Sequence, residues 1–406
     1  METFRRLNTV GENKISTDRA VLTVAETGAL YACGANGFGQ LGLGDSENRS
    51  TLQRVPLEES VKTVVVSDNS TLVVSTSGKF YACGCNFFGQ LGLGDIRNRS
   101  TLQRVPLEES VKMVVTKGSS TFVVTASGRL YACGYNLFGQ LGLGDRLGRS
   151  MLIRVPLEEK VDTVVTGNAS TYVLAVSGAL YACGNNSFDQ LGLGDNQDRS
   201  TPARMPLEEK VKTVVVDGSS AFILTVNGTL YACGHKRYGQ LGVEDSPSRL
   251  TFTKVPLEES VKTVVTIDYS TFVLTRSGAL YACGNNVYGQ LGLGDTQNRS
   301  TLQRVLLEES VKTVATNGGS TYVLTVGGAL YACGNNRNGQ LGFGGDRERT
   351  TLTRVPLEES VETVVSDGQS TFVLTVNGAF YACGYNGFGQ LGLGDDENRS
   401  KLTKIL

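Results

Sequence analysis

Residues 81–95 read Tyr81-Ala82-Cys83-Gly84-Cys85-Asn86-Phe87-Phe88-Gly89-Gln90-Leu91-Gly92-Leu93-Gly94-Asp95. The opening Tyr-Ala-Cys-Gly recurs at Tyr31, Tyr131, Tyr181, Tyr231, Tyr281, Tyr331 and Tyr381, a spacing of 50 residues each time. Eight units of 50 account for 400 of the 406 residues, so one repeat array occupies the chain. A repeat of this length is one supersecondary unit that buries its apolar face against its neighbours. No linker or charge block interrupts the period, and a single domain spanning residues 1–406 is expected.

The unit of residues 61–110 divides into four strands. Val61–Val66 and Ser70–Ser75 are short β-branched runs separated by the turn formers Ser67, Asp68 and Asn69. Thr76-Ser77-Gly78 makes a tight hairpin in which the glycine supplies a positive φ, leading to a third strand over Lys79–Gly84. A glycine-rich connection, Cys85–Arg99, precedes a fourth strand at Thr101–Val105, which Pro106 ends as an edge proline can. No segment has a sustained helical period. Four short strands per unit, eight times over, predict an all-β protein, a β-propeller. Kelch and WD40 propellers have periods near this one but carry tryptophan signatures, and this chain has no Trp.

The residues Tyr81-Ala82-Cys83-Gly84, Asn86 and Gly89-Gln90-Leu91-Gly92-Leu93-Gly94-Asp95 resemble the RCC1 (regulator of chromosome condensation) repeat, and the resemblance recurs in every unit. It implies an RCC1-like propeller. Seven blades is the family's usual number, and the eight motifs give either eight four-stranded blades, one per unit, or seven plus an unpaired unit, of which eight is expected here. Two positions depart from the pattern. Cysteine stands where the family carries tryptophan. Ser70, Ser120, Ser170, Ser220, Ser270, Ser320 and Ser370, with Ala20 in the first unit, stand where it carries histidine. Closure of the last blade is ambiguous, because residues 401–406 and residues 1–6 both align with the fourth strand. The first unit is the most degenerate, since Leu7–Ser16 lacks the β-branched run.

Charge and composition exclude several functions. With 38 basic and 39 acidic residues the net charge is −1, which points to neither nucleic acid nor an anionic membrane. No apolar run is long enough to span a bilayer, and Met1–Val10 lacks the apolar core of a signal peptide. A soluble, intracellular, cytoplasmic or nuclear monomer is expected. Eight of the nine cysteines are one position of the repeat. Equivalent atoms in packed sheets lie about 10 Å apart, beyond the roughly 7 Å a disulfide spans. Buried, reduced thiols are therefore expected, with Cys85, in a variable stretch, the first to react. No cysteine has a CxxC spacing or a neighbouring histidine, so no metal site is expected, and no cofactor.

The glycine-rich segment lacks the following helix and the Lys-Ser/Thr pair of a phosphate-cradling loop, so its glycines, Gln and Asp read as turn formers. His235 is the only histidine and has no carboxylate or nucleophile at a recognisable spacing; no catalytic residue, and no enzyme, is expected. The Glu pairs Glu58-Glu59 to Glu358-Glu359 read as a solvated, partly neutralised face.

Differences between units collect in three stretches: the loop between strands one and two, the residues flanking the asparagine after Cys-Gly, and those after the aspartate. In an up-and-down sheet all three open on one face. The partner-binding residues expected there are Cys85, Phe87, Tyr135, Leu137, His235, Lys236, Arg237 and Tyr269. Exposed aromatic and apolar residues with a polar rim mark a protein interface; the competing reading is drift on tolerant loops. The chain is thus read as a non-enzymatic interaction scaffold for a protein partner. The resemblance implies an alternative, guanine-nucleotide exchange on a small GTPase, although no unit carries an insertion that could act as a wedge. A third reading is an engineered or recently amplified repeat with no specific partner.

Overall fold

The computed structural model describes residues 16–17, 20–25, 27–67, 69–167, 169–244, 249–317, 319–367 and 369–405. Among them are 32 strands and no helix, arranged as eight four-stranded antiparallel sheets, each in chain order. The expected fold class, an all-β β-propeller with eight four-stranded blades, is the one observed.

In the second unit the strands are Val61–Ser67, Ser70–Ser75, Phe80–Gly84 and Arg99–Arg104. The fourth begins two residues earlier than expected, because Arg99 pairs with Gly84 across a register shift. Ser70 faces Gly84, Leu72 faces Ala82 and Val74 faces Phe80. The second strand is buried along its whole length, whereas the fourth is half-buried to exposed. A strand buried on both faces needs the near-continuous apolar run Thr-Leu-Val-Val; an edge strand tolerates Arg-Ser-Thr-Leu-Gln-Arg.

The chain forms two compact units. The first comprises Met1–Ser187, Gln197–Glu208 and Phe388–Asp396, and the second Phe188–Asn196, Glu209–Gly387 and Glu397–Leu406. Within each, the apolar clusters lie between consecutive sheets. In the first, Leu22, Leu30 and Leu41 pack with Val61, Val64 and Val73 of the next repeat. In the second, Phe222, Leu230 and Leu241 pack with Val261, Val264 and Val273.

Hydrogen bonds repeat the same step from one sheet to the next. The Gly44 N–H donates to Ser100 O at 2.8 Å, and Gly94 to Ser150 O at 2.8 Å. The hydroxyl of Thr71 donates to Gln40 O at 2.7 Å, and the Cys83 thiol reaches the same carbonyl at 3.7 Å. In the first compact unit Gly394 donates to Ser50 O at 3.1 Å, and the Cys33 thiol lies 3.8 Å from Gln390 O. In the second, Gly344 donates to Ser400 O at 2.7 Å. Gly89 shows why the loop needs glycine: its φ is 79°, and an added Cβ would lie 2.5 Å from Ser150 Cα.

The last sheet takes its fourth strand from Arg399–Lys404, with Lys404 opposite Tyr381 and Arg399 opposite Gly384. Residues 1–6, the competing candidates, lie outside the described residues, as does most of Leu7–Ser16. The first strand of the first sheet is only Ser16–Thr17.

A candidate partner-binding face

The glycine-rich loop satisfies its own polar groups. Asn86 Oδ1 accepts the Leu91 N–H at 2.9 Å, and Asn86 Nδ2 donates to Asp95 O at 2.9 Å. Asn98 Oδ1 accepts the Asn86 N–H at 2.9 Å, and Gln90 Oε1 accepts the Phe88 N–H at 3.0 Å. Arg99 closes the loop, its Nη2 donating to Asp95 Oδ2 at 2.6 Å and its Nη1 to Arg97 O at 2.7 Å. The Arg99 hydrogen bond, with one from the Arg97 backbone, holds the Asp95 carboxyl below its ordinary range. The segment is a clasp, as its turn-forming residues led us to expect. The role of the Arg was not foreseen; its recurrence from Arg49 to Arg399 at one repeat position was the signal.

The seventh repeat shows what happens without the clasp aspartate. Gly345 occupies its position, and the Arg349 guanidinium instead sits 4.1 Å from the centroid of Phe343, which replaces the usual leucine. A cation over an aromatic face recovers part of the lost attraction.

Ser70, where the family pattern has histidine, donates to Cys85 O at 2.8 Å; Ser120 and Ser220 make the same bond to Tyr135 O and His235 O at 2.8 Å. The residue after the repeated Cys-Gly is thereby tied to the second strand, and its side chain is presented from a fixed backbone. All nine cysteines are free and buried. Desolvation pushes the thiols of Cys33 and Cys183 up to about 12 and raises those of the other repeat cysteines as well. Cys85, expected in a reactive, variable position, is itself buried at 8% exposure, with the Gln90 amide 3.6 Å from its sulfur.

The other expected residues fall into two groups, one in each compact unit. In the first, Phe87 (57% exposed) meets Phe38 edge-on with centroids 5.9 Å apart. Tyr135 packs between Phe88 at 5.2 Å and Phe138 at 6.5 Å, and Leu137 is 60% exposed beside it. In the second, His235 packs edge-on against Phe188 at 5.2 Å and lies 5.9 Å from Tyr269. Tyr269 in turn lies 5.1 Å from Tyr238, over whose ring Arg237 sits at 5.7 Å. Burial, and secondarily Arg237, lowers the pKa of His235, favouring the neutral imidazole. Asp268 and Tyr269 both have positive φ, 49° and 64°, and the Tyr269 N–H donates to Asp217 Oδ2 at 2.9 Å. Two such residues in a two-residue hairpin make a turn whose twist matches the strands.

Phe38, Phe88, Phe138, Phe188 and Tyr238 were missed by a reading that looked for variation, because this position is aromatic in nearly every repeat. They form the constant half of each cluster, and the residue from the next repeat is the variable half.

The opposite end of each sheet is a different surface. Glu109 accepts from the Tyr131 hydroxyl at 2.9 Å and from Arg129 Nη1 at 3.0 Å, as well as from Ser127. Glu159, Glu209 and Glu259 accept from Tyr181, Tyr231 and Tyr281 at 2.6, 2.7 and 2.8 Å. The second Glu of each pair thus caps a strand-three tyrosine, which is more than partial neutralisation.

Comparison with known proteins agrees with this architecture. The model of the RCC1-like domain matches residues 147–406, and that of the regulator of chromosome condensation (RCC1) repeat matches residues 27–74 and 77–124. No curated protein matches the chain in sequence. Among solved structures, human WBSCR16 is similar at a TM-score of 0.66 and 20% identity, covering 83% of this chain and 96% of that one. Prp20p from Saccharomyces cerevisiae, described with its binding properties to Gsp1p and histones, gives 0.66 and 19%, covering 90% and 94%. Yeast RCC1 (Prp20), solved with Kap60 bound to it, gives 0.64 and 17%, covering 99% and 89%.

Proposed function

Because the chain belongs to the RCC1-like domain family, we propose that it is a non-enzymatic, intracellular scaffold that binds a partner protein on the loop face of its blades. One observation carries this reading. A self-satisfied framework of clasps and interstrand bonds holds side chains that differ between repeats, and those side chains are aromatic, apolar or cationic and exposed, as Phe87, Leu137 and Arg237 are. Aromatic residues and Arg are enriched at interface cores. The partner residues we propose are Phe87, Tyr135 and Leu137 in one compact unit, with His235, Lys236, Arg237 and Tyr269 in the other. Cys85 contributes backbone more than side chain. Near-neutral charge argues for a protein rather than nucleic acid or a membrane.

A second reading, exchange of guanine nucleotide on a small GTPase, is favoured by the likeness to Prp20p, which is described as binding Gsp1p. At 19% identity that likeness extends to the fold. Affinity capture from the native host, followed by a nucleotide-exchange assay on any GTPase recovered, separates the two readings. Capture of a partner without exchange supports the scaffold, and accelerated exchange replaces it with the second reading. Capture of nothing by the intact chain would favour an amplified repeat with no specific partner.

A further inference from the structure

The fifth repeat departs from the clasp. Lys236 stands where the other repeats have the buried asparagine that accepts the loop N–H and ties the loop to its aspartate or, in the seventh repeat, to Gly345. An ammonium group has no acceptor, so it cannot make the first of those bonds. Glu244 also replaces the glycine that elsewhere donates to the next sheet, as Gly44 does to Ser100. Beside these changes lies a recess of about 300 Å³ lined by Lys236, Arg237, Tyr238, Val243, Asn298 and Ser300. Among the described residues no carboxylate forms an ion pair with Lys236 or Arg237.

We infer that this recess accepts an acidic side chain of the partner, an aspartate or glutamate carboxylate. The inference rests on the loop-face reading above and deepens it by naming the chemistry recognised. Two cations among the lining residues supply attraction and charge-assisted donors, which are the stronger hydrogen bonds. Asn298 and Ser300 add neutral polar groups along the wall. The volume is at the small end of the roughly 300–1,000 Å³ typical of ligand pockets, so it suits one or two side chains rather than a nucleotide. The exposed Tyr269 and Phe188 of the neighbouring cluster give the flanking residues of such a segment an apolar surface.

The test is fluorescence anisotropy of the full chain with a fluorescein-labelled hexaglutamate peptide, and with hexalysine as the control. Salt-sensitive binding of hexaglutamate but not hexalysine is expected. Lys236→Asn installs the residue of the other repeats, so its melting temperature should be no lower than that of the parent. Its affinity for hexaglutamate should nevertheless fall by roughly tenfold, the loss of one charge-assisted contact. Arg237→Ala should weaken binding similarly, and Glu158→Gln, in a different compact unit, should not. Equal hexaglutamate affinity in the parent and in Lys236→Asn, or equal binding of hexalysine, would overturn the assignment. If hexaglutamate fails while loop-face variants still abolish partner capture, the recess is wrong and the face is right. If hexaglutamate binds through Lys236 but loop-face variants leave capture intact, the face reading fails instead.

Discussion

Asp189 sits where most repeats have a glycine and adopts φ 62° while buried. A left-handed non-glycine residue costs about 1 kcal/mol or more, although Asp is among the residues that tolerate it best. The framework of bonds around it holds the strain, with Gly192 donating to Asp189 O at 3.1 Å. Asp189→Gly should therefore stabilise the protein by about 1 kcal/mol in chemical denaturation. A loss of stability would show that the carboxylate contributes something the backbone geometry does not reveal. Glu109 gives a residue-scale effect of pH. Hydrogen bonds from Ser127 first, then Arg129, hold its pKa near 2 against an ordinary 4.5. A carboxylate depressed in the folded state stabilises above its unfolded pKa. Its contribution is thus present at neutral pH and is lost as pH falls from 4.5 through about 2. The denaturation midpoint of the parent should exceed that of Glu109→Gln at pH 7, with the gap closing across that window. A gap independent of pH would assign the difference to geometry alone.

At the scale of the element, the third strand carries the repeated cysteine, and its thiol faces a carbonyl of the preceding repeat. Cys133 lies 3.6 Å from Gln90 O and Cys283 lies 3.6 Å from Gln240 O. Burial makes the thiolate unfavourable, and the thiolate is the reactive form. Labelling of the native protein with a thiol reagent should be slow at all nine cysteines, with Cys85 first because its 8% exposure exceeds that of every other cysteine. Rapid native labelling of several repeat cysteines would contradict the packing. This element also shows how much could be read from sequence. The period located the strands, and the β-branched runs gave three of the four bounds within about a residue. The fourth strand began early because Arg99 opposite Gly84 is a pairing across a bulge, which no local pattern announces. The Tyr131–Glu109 cap joins residues 22 apart, and the Thr71–Gln40 bond joins residues 31 apart. Each repeat looks self-contained in sequence, yet its polar groups are completed by the next. The aromatic row from Phe38 to Tyr238 escaped notice for a related reason: a constant residue next to a variable one reads as scaffold until the two are seen in contact.

For the whole molecule, repetition separates what holds the fold from what distinguishes one blade from another. Core leucines and valines, clasps and Tyr–Glu caps recur; the clusters around Tyr135 and around His235 do not. The Tyr135 cluster is aromatic and apolar, the His235 cluster aromatic and cationic, so the two compact units offer chemically different loop surfaces. Truncating a central aromatic or Arg at an interface commonly costs about 2 kcal/mol or more. Arg237 is exposed and Tyr135 half-buried against two rings outside the apolar cores between sheets, and positions away from the core contribute little to stability.

The most direct measurement is the affinity of the captured partner for Tyr135→Ala and Arg237→Ala on the loop face and for Glu158→Gln at the opposite end. Weakening by roughly thirtyfold for each loop-face variant, with melting temperatures close to the parent and no change for Glu158→Gln, is the predicted result. Unchanged affinity in both loop-face variants, with loss in Glu158→Gln, would contradict the account.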